Sequence, residues 1–218
     1  MDKILSFLLV LALSVFSLPA SAQEDADSLA RGILRVMTGE RGTLAWHECG
    51  VRLSHEEANV RAQEYATLLM AEHEADPDFD PWVGGGIAMQ ESSLNRCALS
   101  RDANRVATHA LGHSPTETEI VRILRNRAYR NRLGLSIFDA GLVQFRWPGP
   151  IATLSGLTDP GTLVDAHTSI HMLAVASQRY RSACAEVQTY TGSYTVNREG
   201  APPRTHRYAV PCSEGYWV

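Results

Sequence analysis

The chain has 218 residues, a net charge of −4 near neutral pH and four cysteines. That length suits one domain with one sizeable core. Lys3 is the only lysine, and the weakly acidic chain carries no basic block, so composition gives no support for nucleic-acid binding.

The chain opens MDKILSFLLVLALSVFSLPASAQEDA. Lys3 precedes an apolar run from Ile4 to Leu18, followed by Pro19 and the small residues Ala20, Ser21 and Ala22. A charged start, a short apolar stretch and an A-x-A-like site predict a secretory signal over residues 1–22. The run is shorter than the ~20 apolar residues a bilayer core demands. No cysteine stands at the cleavage site. The expectation is therefore an exported protein, periplasmic or extracellular, with no membrane anchor once the signal is removed.

Four cysteines in an exported chain, Cys49, Cys97, Cys184 and Cys212, favour two disulfides with three connectivities open. Cys49–Cys97 with Cys184–Cys212 is the pairing expected here. No C-x-x-C pair is present, so a cysteine-based zinc site is disfavoured.

From Asp27 to Met37, Leu29, Ile33, Leu34 and Met37 recur at helical spacing. Ser54 then caps a second predicted helix with Glu56 and Glu57 in its first turn, and Val60, Tyr65, Leu68 and Leu69 make its expected core face. Pro81 suits the first position of a third helix. Its glycines, Gly84 to Gly86, are poor helix formers, which leaves two readings. Either the helix tolerates them because something approaches closely, or it begins only at Ile87. Further on, Ser114, Pro115 and Glu117 read as cap, first turn and capping box of a helix reaching Arg132, with Ile120, Ile123, Leu124 and Tyr129 inward. A last amphipathic helix is predicted from Ser169 towards Tyr190, and the chain beyond Gly192 reads as irregular. The fold expected is mostly α, with at most a minor β-hairpin.

The stretch from Gly85 to Ser100, GGIAMQESSLNRCALS, ends an apolar run at the lone carboxylate of Glu91. A carboxylate at a helix C-terminus faces the negative end of the helix dipole. Burial works in the same direction against the ionised form, and a general acid needs its proton near neutral pH.

Glu91-Ser92, Asn95 and Ser100, followed by GLVQF at Gly141 to Phe145, resemble the signature of the soluble, lysozyme-like lytic transglycosylases. Ser169-Ile170 matches loosely the Asn-Ile element of that family, and Tyr190 in TYTGS matches in part its Tyr-Asn-x-Gly-like element. The resemblance spans roughly Asp80 to Ser193. It departs from the family in Val143 for Met, Ser169 and Thr191 for Asn, and an insert at about residues 101–138 between Ser100 and Gly141. An insert of that length beside a groove reads as a lid or a wall.

The resemblance implies a lysozyme-like single domain. Residues 23–79 would be an N-terminal helical segment packed on a core at 80–193, and 194–218 an irregular tail. It also implies cleavage of the MurNAc-β-1,4-GlcNAc bond of peptidoglycan glycan strands to a 1,6-anhydromuramyl product. Glu91 would be the catalytic acid and base, supported by Ser100 and Tyr190. Ser92, Gly141, Leu142, Gln144 and Trp147 would line the substrate groove. The sequence names no protein partner.

The nearest alternative is a muramidase of the goose-type lysozyme kind, a hydrolase that needs a second carboxylate, with Asp139 and Asp102 as candidates. Both also read as turn or capping acids. A catalytically silent glycan-binding or secretion accessory protein on the same scaffold is a third reading. His109, His113 and Glu117, and the pair His167 and His171, have helical metal-ligand spacing, but the H-E-x-x-H pattern is absent. No metal and no cofactor are expected. Trp46, Trp82 and Trp147 are candidates for sugar stacking, against burial in the core.

Overall fold

The computed structural model describes residues 20–39, 46–185, 189–196, 202 and 204–211. Most of the expected signal segment lies outside them, as does Cys212. The protein is mostly helical, with three two-stranded antiparallel sheets. Among the described residues no helix is long and apolar enough to cross a membrane.

Helix α1 (Ala20–Thr38) buries Leu29, Ile33 and Met37, as their spacing predicts. It lies along α2 (His55–Ala75), which Ser54 and Glu57 cap reciprocally. The buried stripe of α2 is Ala58, Ala62, Tyr65, Ala66, Leu69 and Met70. Val60, expected on that stripe, is 60% exposed. At ~100° per residue it stands two positions from both Ala58 and Ala62, on the opposite side of the helix. A hairpin of β1 (Trp46–Glu48) and β2 (Val51–Leu53) stands between the two helices in sequence.

Helix α3 (Pro81–Ser92) starts where the Asp80 carboxylate accepts from the N–H groups of Trp82 and Val83, with Pro81 in the first turn. All three glycines are helical, which settles the choice left by the sequence. Gly84 shows why one of them is needed: a Cβ there would come 2.8 Å from Phe79 Cζ and 2.9 Å from Leu69 Cδ2. The missing side chain lets α3 seat closely on α2.

The insert is three helices, α4 (Arg101–Leu111), α5 (Glu117–Arg125) and α6 (Arg127–Arg132). The cap of α5 falls on Thr116 with Glu119 as its reciprocal partner, two residues later than the Ser114 and Glu117 reading. The single helix expected as far as Arg132 breaks at Asn126, whose backbone is extended and whose side chain caps α6. The insert is no flap. Ala103, Ala107, Ile120, Ile123 and Leu124 are buried with Leu135, Phe138, Leu163 and Met172 in a second apolar cluster.

After the insert come β3 (Phe138–Ala140), β4 (Phe145–Trp147), α7 (Pro150–Leu154), a 3-10 turn at Pro160–Val164 and α8 (Ala166–Cys184). Asp165 caps α8 by accepting from Thr168 N–H, so the helix starts three residues before Ser169. Helix α8 is shared between the two cores. Ile170, Leu173 and Ala174 pack with α1, α2 and α3, while Met172, Ala176 and Tyr180 pack with the insert. The segment expected to be irregular forms a hairpin of two eight-residue strands instead, β5 (Thr189–Val196) paired to β6 (Arg204–Pro211), and the helix expected to run towards Tyr190 ends at Cys184. The alternating Thr, Tyr and Val of TYTGSYTV is a strand pattern.

The glycines of α3 give a testable contrast. A Cβ at Gly86 would meet nothing within 4 Å, so Gly86→Ala is expected to raise unfolding free energy by about 0.5–1 kcal/mol through helix propensity. Gly84→Ala is expected to lower it by about 1 kcal/mol or more, because overpacking outweighs the same gain. Urea denaturation of both variants checks the pair.

Candidate active site

Glu91 stands in the last turn of α3. The helix buries Pro81, Gly84, Gly85 and Ala88, and Glu91, seven residues after Gly84, returns to nearly the same angular position. Yet Glu91 is exposed. The inward stripe of the helix therefore runs out of the core at its final turn, and the expected burial of the acid is replaced by an opening to solvent. Its carboxylate has no hydrogen-bond or ion-pair partner among the described residues.

The chain reverses at once. Ser93 and Leu94 both take positive φ, 54° and 61°. Their N–H groups close the helix on Met89 and Ala88 carbonyls, and Leu94 is buried in the first core, the pattern of a left-handed helix stop with its apolar contact. The buried Trp46 donates its indole N–H to the Ser93 carbonyl at 3.2 Å. Trp46 is thus a core residue, whereas Trp82 is exposed beside Gly32.

Asn95 clasps the next turn. Its Oδ1 accepts from Cys97 N–H at 3.0 Å and from Cys49 N–H at 3.2 Å. Those two cysteines form the expected disulfide, with Cα atoms 4.9 Å apart. Cys184 is also disulfide-bonded, while its expected partner, Cys212, is outside the described residues. Disulfides of this kind persist in oxidising compartments.

Arg96 points the other way. Its guanidinium donates to both Glu117 oxygens, at 2.7 and 2.8 Å, and to the Val164 carbonyl at 3.1 Å. Its Nε stands 3.5 Å from the buried Glu48 carboxylate, which also receives the Tyr65 hydroxyl and lies 2.8 Å from Arg61 Nε. The Arg96 hydrogen bonds hold the Glu117 carboxyl below its ordinary value of 4.5, against a smaller opposing effect of burial. Burial, with the Glu48 charge beside it, pushes the Tyr65 phenol far up.

The two halves of the sequence motif meet across the insert. Ser100 N–H donates to the Asp139 carbonyl at 2.8 Å, Gly141 N–H to the Ala98 carbonyl at 2.9 Å, and Leu99 pairs antiparallel with Ala140. Gln144 closes the junction, its amide NH2 donating at 3.0 Å to the Ala98 and Gly141 carbonyls. Gly141 has φ +88°, and a Cβ there would come 2.1 Å from the Leu163 carbonyl oxygen. Only glycine fits. Leu142 is buried, and its N–H is taken by Ser169 Oγ, which itself donates to the Leu163 carbonyl. The weak Asn-to-Ser match at Ser169 thus coincides with a fully buried hydroxyl tying α8 to the Gly141 turn.

Other expected contacts are not made. The Ser100 hydroxyl has no partner among the described residues, so it forms no bond to Glu91 here. Ser92 turns its hydroxyl back to the Ala88 carbonyl. Trp147 is half-buried against the second core, opposite Phe138. Tyr190 lies in β5 opposite Val210, and its side chain is outside the described residues.

Neither second-carboxylate candidate is free. Asp102 is 87% exposed on α4 and pairs with Arg105. Asp139 is held through both oxygens by Arg146, at 2.9 and 3.2 Å. The histidine pairs are separated or otherwise engaged. Gly112 ends α4 between His109 and His113, and His171 faces Glu72 while stacking on His167. Among the described residues, one group brings three donor atoms together, Cys49, Cys97 and Glu117, and its sulfurs are spent in the disulfide.

The sequence reading missed Glu48, Tyr65, Arg96 and Glu117 as a charge cluster, since no periodic pattern links residues so far apart. It missed Arg146 as well, because no strand pair was expected at residues 138–147. In comparison with known proteins, the chain matches no family model, no curated protein and no solved structure.

Because the folded state holds Glu117 below its ordinary value, its contribution to stability is present above about 4.5 and is lost as pH falls through the folded-state value. Unfolding free energy is expected to decline below that point. Glu117→Gln should flatten that part of the decline, as read by urea titrations across the acid range.

Proposed function

We propose that the chain is an exported peptidoglycan lytic transglycosylase. It cleaves the MurNAc-β-1,4-GlcNAc bond with Glu91 as its single acid and base. The observation that carries this reading is the pairing of Leu99 and Ser100 with β3. It brings the loop that follows Glu91 beside the Gly141 turn although residues 101–138 separate the two in sequence. Chance matches to two motif halves carry no reason to be neighbours.

The chemistry follows from one accessible carboxylic acid. Glu91 donates its proton to the glycosidic oxygen as the bond to C1 breaks. The 2-acetamido group of the substrate stabilises the positive charge at C1, so no second protein carboxylate is required. The C6 hydroxyl of the same muramyl residue then attacks C1 and gives its proton to the Glu91 carboxylate. The acid is regenerated, no water is consumed, and the product ends in 1,6-anhydromuramic acid. The exposure of Glu91 suits a group that must reach a polymer. The disulfide and the sequence of residues 1–22 support export.

The hydrolase reading needs a carboxylate to activate water, and the ion pairs at Asp139 and Asp102 weigh against it. A silent binding protein has no use for an accessible Glu91 at a motif junction.

The deciding experiment is mass analysis of fragments released from purified peptidoglycan. Fragments with 1,6-anhydromuramyl ends are expected from the native chain. None are expected from Glu91→Gln, a loss of at least about 100-fold, the lower range of a positioned acid's contribution. Unchanged release by Glu91→Gln would defeat the reading, and fragments one water heavier would make the enzyme a muramidase.

A further inference from the structure

Leu99 pairs antiparallel with Ala140, Ser100 N–H donates to the Asp139 carbonyl, and Asp139 is the register partner of Arg146 across β3 and β4. Residues directly opposite in antiparallel pairing share a face. Ser100, Asp139 and Arg146 therefore stand in one row, and Leu99, Ala140 and Phe145 make the row on the other face. The second row is the packed one: Ala140 is buried, and Leu99 and Phe145 pack against the same cluster. The first row faces outward, Asp139 being 25% exposed and Arg146 56%.

This row sets a carboxylate beside Ser100. Arg146 occupies both Asp139 oxygens, the two-point geometry that makes arginine a strong carboxylate partner. A carboxylate so engaged has fewer lone pairs left for a water molecule. Register alone holds the two opposite each other, so the neutralising charge comes with the hairpin.

We infer that Arg146 is a positioning residue that withholds Asp139 from base catalysis and so selects the anhydro product over hydrolysis. The inference rests on the transglycosylase reading of Glu91. In the suppressed reaction, water attacks C1 as the bond to the leaving oxygen breaks. Glu91 gives that oxygen its proton, and Asp139 takes the proton released by the water. With Arg146 in place, Asp139 is held in the ion pair and the muramyl C6 hydroxyl is the favoured nucleophile.

The test is the ratio of reducing to 1,6-anhydromuramyl ends released from peptidoglycan, measured by mass analysis. A positioned base contributes ~10²–10⁴-fold, so a freed but imperfectly placed Asp139 in Arg146→Gln is expected to raise reducing ends about 10-fold or more. Arg146→Lys keeps the charge but not the two-point contact and should restore the native ratio only in part. Asp139→Asn added to Arg146→Gln should remove the new reducing ends. Arg146→Met, which keeps the apolar stem, serves if Arg146→Gln does not fold by circular dichroism.

An unchanged ratio in folded Arg146→Gln or Arg146→Met overturns the inference and leaves the transglycosylase reading standing. Reducing ends that persist in the double variant overturn it too, since another group would then activate the water. A native chain that already gives reducing ends, or gives no fragments, removes the transglycosylase reading and the inference together.

Discussion

Glu48 puts a carboxylate where almost no water reaches, with 3% of its side chain exposed, and the elements around the site are arranged to answer it. Tyr65 donates its hydroxyl from α2, Arg61 approaches from the next turn of the same helix, and Arg96 approaches from the loop after Glu91. A buried carboxylate without such partners costs several kcal/mol. Satisfying it fixes Arg96. The other end of the Arg96 guanidinium is then free to bind Glu117 at the start of α5 and the Val164 carbonyl in the 3-10 turn. One buried charge thereby ties α2, the β1–β2 hairpin, the loop after the acid and the insert together.

The disulfide reinforces the same loop from the opposite side. Cys49 and Cys97 are 48 residues apart, and closing a loop of that length removes about 4 kcal/mol of denatured-state freedom in the chain-entropy view. Asn95 lies between the two restraints, its carbonyl oxygen shared by the N–H groups of both cysteines. The turn that follows Glu91 is thus held by a covalent link, a hydrogen-bonded clasp and an ion-pair cluster. It tolerates two consecutive left-handed residues, Ser93 and Leu94, which an unsupported loop would relax. The loop is thus rigid, while Glu91 just before it is open to solvent.

Helix α8 supplies the second constraint. It is buried on two sides because the first core and the insert's core both pack on it. Its Ser169 carries the join to the Gly141 turn through two buried hydrogen bonds. Gly141 lies so close to the Leu163 carbonyl that no side chain fits. The motif glycine and the α8 serine are therefore two halves of one contact. Residues of α4 and α5 pack in the second core with Met172 and Ala176 of α8.

Caps and helix faces were legible because their causes are local. The Ser54 cap, Pro81 at the start of its helix, and the spacing of Leu29, Ile33 and Met37 act within one or two turns of chain, and each is where the sequence puts it. Local reading failed where two local signals competed, as at Ser114 against Thr116, or where one side chain decided a break, as at Asn126. It failed at Val60 because apolar character says nothing of phase when small alanines make the buried stripe.

By itself, then, the sequence determined a mostly helical chain, a third helix that begins at Pro81, and an expected Cys49–Cys97 pairing that the fold makes. Tertiary structure alone decided that the motif's halves meet, that α8 serves two cores, that Glu91 is open to solvent and that Asp139 is held by Arg146. Helix caps and periods are energies of neighbours in sequence. The contact of Ser100 with Asp139, or of Arg96 with Glu48 and Glu117, becomes favourable only after intervening chain has folded and closed the loop. Such contacts leave no period for a sequence to display.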